Sequence, residues 1–206
     1  VDTTTGLHVH LDTKDFIPKT RTKHTPYALQ RLMMFYLVYE EVILSFLPNS
    51  RRNNRFCGSI KKDYHLSEVR NCNSLVELEK LWYRETTKRA LVRCKGGKYH
   101  PSRYCGVNFH SLFKDGHIEI RYHSGTLNAE KILHWIALHQ RILDVSLEGL
   151  ADLATVTLTL EEKTDQMFRS LKLPEVTETY LRNRQQLFMR TTDNTEAQSL
   201  QEVCAG

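Results

Sequence analysis

The chain has 206 residues, 40% of them hydrophobic and 26% charged, with 29 Lys and Arg against 24 Asp and Glu and a formal charge of +5. That length describes one domain able to bury a core. The modest positive excess suits an anionic ligand and falls short of the dense basic surface of a nucleic-acid binder. Five cysteines with no Cys-x-x-Cys pair exclude a disulfide scaffold and a cysteine zinc site and point to a reducing, cytoplasmic setting.

In chain order, GLHVHLD at 6–12 alternates as a half-buried strand does: His8, His10 and Asp12 share one face, and Leu7, Val9 and Leu11 the other. Thr25 followed by Pro26 predicts a helix start, and Pro48-Asn49 a stop. The apolar stretch between them, 27–47, is broken by Arg31, Glu40 and Glu41, so it reads as a buried helix and not a membrane span. The basic run SRRNNR, with Arg51, Arg52 and Arg55, reads as a solvated loop. Ser74 and Glu77 form a capping-box pattern for a helix to about Lys88, with Leu75, Leu78, Leu81 and Trp82 on its apolar side.

Residues 103–113 look extended, and GHIEIRYHS at 116–124 is the clearest strand; Asp115-Gly116 between them predicts a hairpin. Asn128 caps a helix whose face is Ile132, Leu133, Trp135, Ile136, Leu138, Ile142 and Leu143. Thr159 and Glu162 form a second capping box, Pro174 opens a last helix, and a flexible tail is expected from Thr191. The missing initiating Met and the start in mid-pattern predict further sequence upstream. The fold class is α+β: an antiparallel curved sheet with helices packed on one face.

In HIEIRYH, Ile118, Ile120 and Tyr122 point one way and His117, Glu119, Arg121 and His123 the other. Pairing this strand with the first would gather His8, His10, Glu119 and Arg121 on one surface. A carboxylate with imidazoles can hold a divalent ion, and a guanidinium can hold a phosphate or carboxylate through paired hydrogen bonds. Such a surface suits phosphoryl transfer or metal-assisted hydrolysis. His117 and His123 read as structural, and His24, His65, His134 and His139 as surface or helix-boundary residues. Trp82, Trp135, Met33 and Met34 read as core.

Together, GLHVH, SRRNNRFCGSI, RYCGVNFHSL and GHIEIRYHSGTLNAEKILHWIAL resemble the amidoligases, carboxylate–amine ligases related to glutamine synthetase and glutamate–cysteine ligase. The resemblance covers about residues 5–150 and implies an amidoligase-like domain at 1–190, with 191–206 as the tail and a glutamine-synthetase-like catalytic fold. By that likeness His8 and Glu119 would ligate Mg2+ or Mn2+, and His10, Arg103 and Arg121 would contact the phosphates of ATP. Arg103 and Arg121 would carry the catalytic charge neutralisation, with Arg103 and Asn108 on the neighbouring strand. Asn108, Tyr104, Arg52 and Asn54 would meet the substrates, a carboxylate and an amine donor, with neither nucleic acid nor membrane as partner. The implied reaction passes through an acyl phosphate and needs no protein nucleophile. The family's acidic Glu-x-Glu strand, which precedes the Gly-x-His-x-His segment, does not occur in this sequence. A metal-dependent hydrolase using the His-x-His pair, or an anion-binding module using the Arg51–Arg55 run, are the alternative readings.

Overall fold

A computed structural model describes residues 5–16, 25–52, 54–149, 153 and 158–204, the side chains of Thr25, Pro26 and 191–204 excepted. His24, the side-chain cap expected of Thr25 and the last two residues of the expected tail lie outside the described residues.

Three short strands make one antiparallel sheet in the order β1 (Val9–Asp12), β3 (His117–Ile120), β2 (Val107–Asn108). Val9, Leu11, Val107, Ile118 and Ile120 of this sheet join a single hydrophobic core. That core is built around α1 (Thr25–Ser45), where Leu29, Leu32, Phe35, Tyr36, Tyr39, Val42 and Ile43 are fully buried. The fold is therefore α+β, with far more helix than sheet. Among the described residues no helix is long and apolar enough to cross a membrane.

The polar interruptions of α1 are answered by partners. Gln30 Nε2 donates to the carbonyls of Val69, Arg70 and Cys72 at 2.8–2.9 Å. Glu40, 1% exposed, accepts from Tyr122 Oη at 2.7 Å, from the Ile60 amide at 2.8 Å, and from Ser59 Oγ. Three donors satisfy this buried carboxylate in place of water, and it fastens the segment just beyond β3 to the central helix.

Several expectations are corrected. The segment 103–113 is not one extended strand: a 3-10 turn (Pro101–Tyr104), two residues of β2 and α6 (Phe109–Asp115) share it. Asn108 caps α6 through its side-chain oxygen on the Ser111 amide, and Gly116 closes it with φ of 79°. Asp115-Gly116 is thus a helix C-terminus, where glycine supplies the left-handed conformation, and not a hairpin turn. Arg103 consequently lies on the turn and not on a strand. The Ser74 helix, α4 (Leu75–Tyr83), stops early at Arg84, whose φ is 53°, and Thr87 caps α5 (Lys88–Gly96). Glu77 bonds the Asn73 amide instead of closing the box on Ser74.

Two further short helices, α2 (Asn49–Arg52) and α3 (Leu66–Arg70), escaped the sequence reading, and His65 stands at the boundary of α3. The Asn128 cap on α7 (Ala129–Glu148) and the Thr159–Glu162 box on α8 (Leu160–Leu171) form as expected. On α7, Leu133 and Ile136 remain exposed, while His139, expected at the surface, is fully buried against Tyr36. The last helix, α9, runs Glu175–Cys204.

Gly106 faces the Tyr122 ring so closely that a Cβ would fall 1.8 Å from a ring carbon. Tyr122 is itself fully buried and tied to Glu40, so the ring has no room to retreat. Gly106→Ala is expected to destabilise the fold by about 1–3 kcal/mol through overpacking, read as a lower midpoint in urea unfolding.

Candidate functional site

Strand register builds the site. His10 stands opposite Glu119 across β1 and β3, and Asn108 stands opposite Glu119 across β2 and β3. Glu119 therefore occupies the middle of the sheet with a neighbour on each side. Beyond Val9 the pairing with the third strand slips by one residue, since Val9 faces Ile120 whereas Gly6 faces Ser124. The extra residue on the third-strand side is a bulge of the kind found beside functional sites. It leaves His8 Nδ1 2.9 Å from Glu119 Oε1, with His10 Nε2 at 3.8 Å from the same oxygen.

Arg121 completes the centre. Its Nη1 donates to Glu119 Oε1 at 2.9 Å and its Nε to the Phe56 carbonyl at 3.2 Å, while Asn108 Nδ2 donates to Glu119 Oε2 at 2.7 Å. Glu119, Arg121 and Asn108 are buried, whereas His8 and His10 keep side-chain exposures of 37% and 53%. The polar face thus ends in two accessible imidazoles over a buried carboxylate.

Burial would raise the Glu119 pKa, but the hydrogen bonds from His8 and Asn108 and the charge of Arg121 outweigh it and hold the carboxyl well below the usual range. His10 is lowered, first by burial and then by His117, His8 and Arg121, against the pull of Glu119. At neutral pH the centre therefore offers an anionic oxygen and a neutral imidazole. One ligand atom each from His8, His10 and Glu119 lie within 4.8 Å of one another. Two nitrogens and one carboxylate oxygen fit a divalent ion, and suit Mn2+ or Zn2+ better than Mg2+, which prefers oxygen.

The other sequence-predicted residues fall into two groups. Arg52, Asn54 and Tyr104 line one cleft of about 470 Å3. Asn108, expected at the substrate, instead bonds Glu119 and caps α6. Arg103 donates to the Lys98 carbonyl and lies over the rings of Tyr99 and Tyr104. The Tyr104 ring also lies 6.0 Å from the Arg121 guanidinium carbon, and through it the cleft adjoins the centre.

Arg51 was missed. Expected in a solvated loop, it is 5% exposed and donates Nε to the Tyr122 carbonyl at 2.8 Å and Nη2 to the Arg121 carbonyl at 2.9 Å. Arg51 thus grips the backbone beside Arg121, while Arg121 grips the Phe56 carbonyl in return, fixing the cleft segment against the third strand. No sequence signal separates Arg51 from its neighbour. The buried Glu40 did carry one, as a carboxylate inside an apolar run. His123, read as structural, is buried with Nδ1 2.6 Å from the Ser124 carbonyl oxygen, and the His117 ring lies 4.8 Å from that of His10.

The sheet of this helix-rich α+β protein gathers two imidazoles, a carboxylate and a guanidinium on one face. The family model described as "Putative amidoligase enzyme" matches residues 1–143, and the chain belongs to that family of ligase-type enzymes. No curated protein and no solved structure matches the chain.

Proposed function

We propose that the protein is an ATP-dependent carboxylate–amine ligase with a glutamine-synthetase-like catalytic sheet. The observation that carries this reading is the convergence of His8, His10 and Glu119 within 4.8 Å, with Arg121 bonded to the same carboxylate. Glu119 and the two imidazoles are the residues that would hold a divalent ion, Mn2+ or Mg2+. Such an ion, when bound, supplies positive charge against the phosphates of ATP.

An oxygen of the substrate carboxylate attacks the γ-phosphorus, the bond to the bridging oxygen breaks, and ADP leaves. The amine then attacks the acyl carbon, the carbon–oxygen bond to phosphate breaks, and the amine gives up a proton as the amide forms. Positioning and charge neutralisation do most of this work. Arg121 contributes a guanidinium held in place by Glu119 and the Phe56 carbonyl, and Arg103, beside Tyr104, offers a second. Neither stage requires a nucleophile from the protein.

The test is calorimetric titration with Mn2+ and with Mg2+, each with and without ATP, followed by measurement of ADP release with a carboxylate and hydroxylamine as the amine. Mn2+ is expected to bind at least tenfold tighter than Mg2+, and ADP release to require both the carboxylate and the ion. ADP release that ignores the carboxylate, or no nucleotide binding at all, would rule the ligase out.

A further inference from the structure

Where the sheet bulges, two backbone carbonyls lose their ladder partners. Val9 pairs with Ile120 and the Leu7 amide donates to the His123 carbonyl at 3.1 Å, so His8 alone stands opposite both Arg121 and Tyr122. Among the described residues no backbone amide donates to the carbonyl of either. Arg51, 5% exposed, replaces both amides, with Nε on the Tyr122 oxygen at 2.8 Å and Nη2 on the Arg121 oxygen at 2.9 Å. Buried carbonyls require such partners. The rigid fork of a guanidinium serves two of them at once, where an ammonium offers a single nitrogen. The same guanidinium reaches the opposite strand: a Cβ on Gly6 would stand 3.6 Å from Arg51 Nη2 and 3.2 Å from His8 Nε2, so one glycine separates the two side chains.

From this we infer that Arg51 is a positioning residue: it locks the bulge, and the bulge sets His8 over Glu119. It acts through the backbone of Arg121 and Tyr122 and through the packing at Gly6. Without it the two carbonyls must turn toward other donors, and the register slip that leaves His8 Nδ1 2.9 Å from Glu119 Oε1 is no longer held. The consequence for ion affinity rests on the ion-binding part of the ligase reading, whereas the placement of His8 does not. Charge and fork act in opposite directions here. A buried cation opposes a divalent ion nearby, so loss of the charge alone would tighten ion binding, whereas loss of the bulge geometry weakens it.

Calorimetric titration of the whole protein with Mn2+ separates these effects. Arg51→Met and Arg51→Lys are both expected to weaken Mn2+ binding by about tenfold or more, the scale seen for residues that orient metal ligands. The lysine variant keeps the charge without the fork and stands in should Arg51→Met fail to fold. Gln30→Ala strips a side-chain donor from the carbonyls of Val69, Arg70 and Cys72. It is expected to lower stability yet leave Mn2+ affinity within about twofold, as a change remote from the centre does. A second readout needs no ion. The His8 Nδ1 resonance in nitrogen NMR, assigned by its loss in His8→Gln, is expected to report a hydrogen-bonded nitrogen in the wild type and in Gln30→Ala. In both Arg51 variants it is expected to move to the position of an imidazole in water. Wild-type Mn2+ affinity with an unmoved His8 resonance in Arg51→Lys, or tighter Mn2+ binding in Arg51→Met, overturns the inference. A wild type that binds no Mn2+ sinks the ion site alone, and the His8 resonance then decides the role of Arg51.

Discussion

Glu119→Gln is expected to remove Mn2+ binding and ADP release by at least about a hundredfold and, in the same variant, to lower stability by several kcal/mol. Both effects follow from one carboxylate. Its Oε1 is approached by His8 Nδ1 and Arg121 Nη1 at 2.9 Å, and its Oε2 by Asn108 Nδ2 at 2.7 Å. An amide in that place turns one acceptor into a donor facing donors. It also leaves Arg121, 6% exposed, as a buried cation without its counter-charge. Breaking a buried pair from one side typically costs about 3–5 kcal/mol.

A double variant separates the two effects. Glu119→Gln combined with Arg121→Met removes the orphaned charge, so unfolding free energy is expected to recover while Mn2+ binding and ADP release stay lost. If the single variant melts like the wild type and still binds Mn2+, the carboxylate is neither the ion's ligand nor the strand's anchor, and the centre must be drawn elsewhere.

How much of this was legible depends on which physical rule each residue obeys. Strand alternation has a period of two wherever one face is apolar, so GLHVHLD and HIEIRYH disclosed the faces on which His8, His10, Glu119 and Arg121 lie. The register that sets His10 and Asn108 on either side of Glu119 depends on pairing between distant segments, and a bulge next to His8 has no local signature. The misreading at Asp115-Gly116 has a definite cause. Glycine's left-handed conformation serves a hairpin and a helix C-terminus equally, and the deciding feature was the Asn108 cap seven residues upstream. The end of α4 at Arg84 was hidden because a non-glycine residue there takes positive φ, which composition does not announce. Arg51 was hidden for a different reason: hydropathy assigns a basic run to water, whereas this guanidinium satisfies two backbone carbonyls just past the end of the central strand.

His139 follows the same logic, since it sits in register with Trp135 and Leu143 on the buried face of α7, and it leads to an acid-lability prediction. Its Nδ1 is hydrogen-bonded to Tyr36 Oη at 2.9 Å, and its Nε2 is buried without a partner among the described residues, so a second ring proton would have no acceptor. Burial pushes its pKa down to about 3, and pushes that of His123 down to about 4. In the unfolded chain both titrate near about 6.5. As pH falls below that value the unfolded state takes up protons that the folded state refuses, so stability is full above about 6.5 and declines as pH falls toward the folded values. Each such proton costs about 1.4 kcal/mol per pH unit. His10, His100 and His110 are also lowered, chiefly by burial, and act with the same sign.

The carboxylates with depressed values, Glu68 at about 2 together with Glu41, Glu119 and Glu162, lose their contributions only at lower pH, so the range between about 4.5 and 6.5 isolates the histidines. Urea unfolding across that range is expected to show stability falling steeply with acid in the wild type. In a Tyr36→Phe, His139→Leu double variant, which removes the buried pair together, the slope is expected to be shallower by about one proton. A slope unchanged in that variant would mean that His139 takes up its proton without unfolding the chain, which a fully buried ring with one bonded and one orphaned nitrogen does not permit.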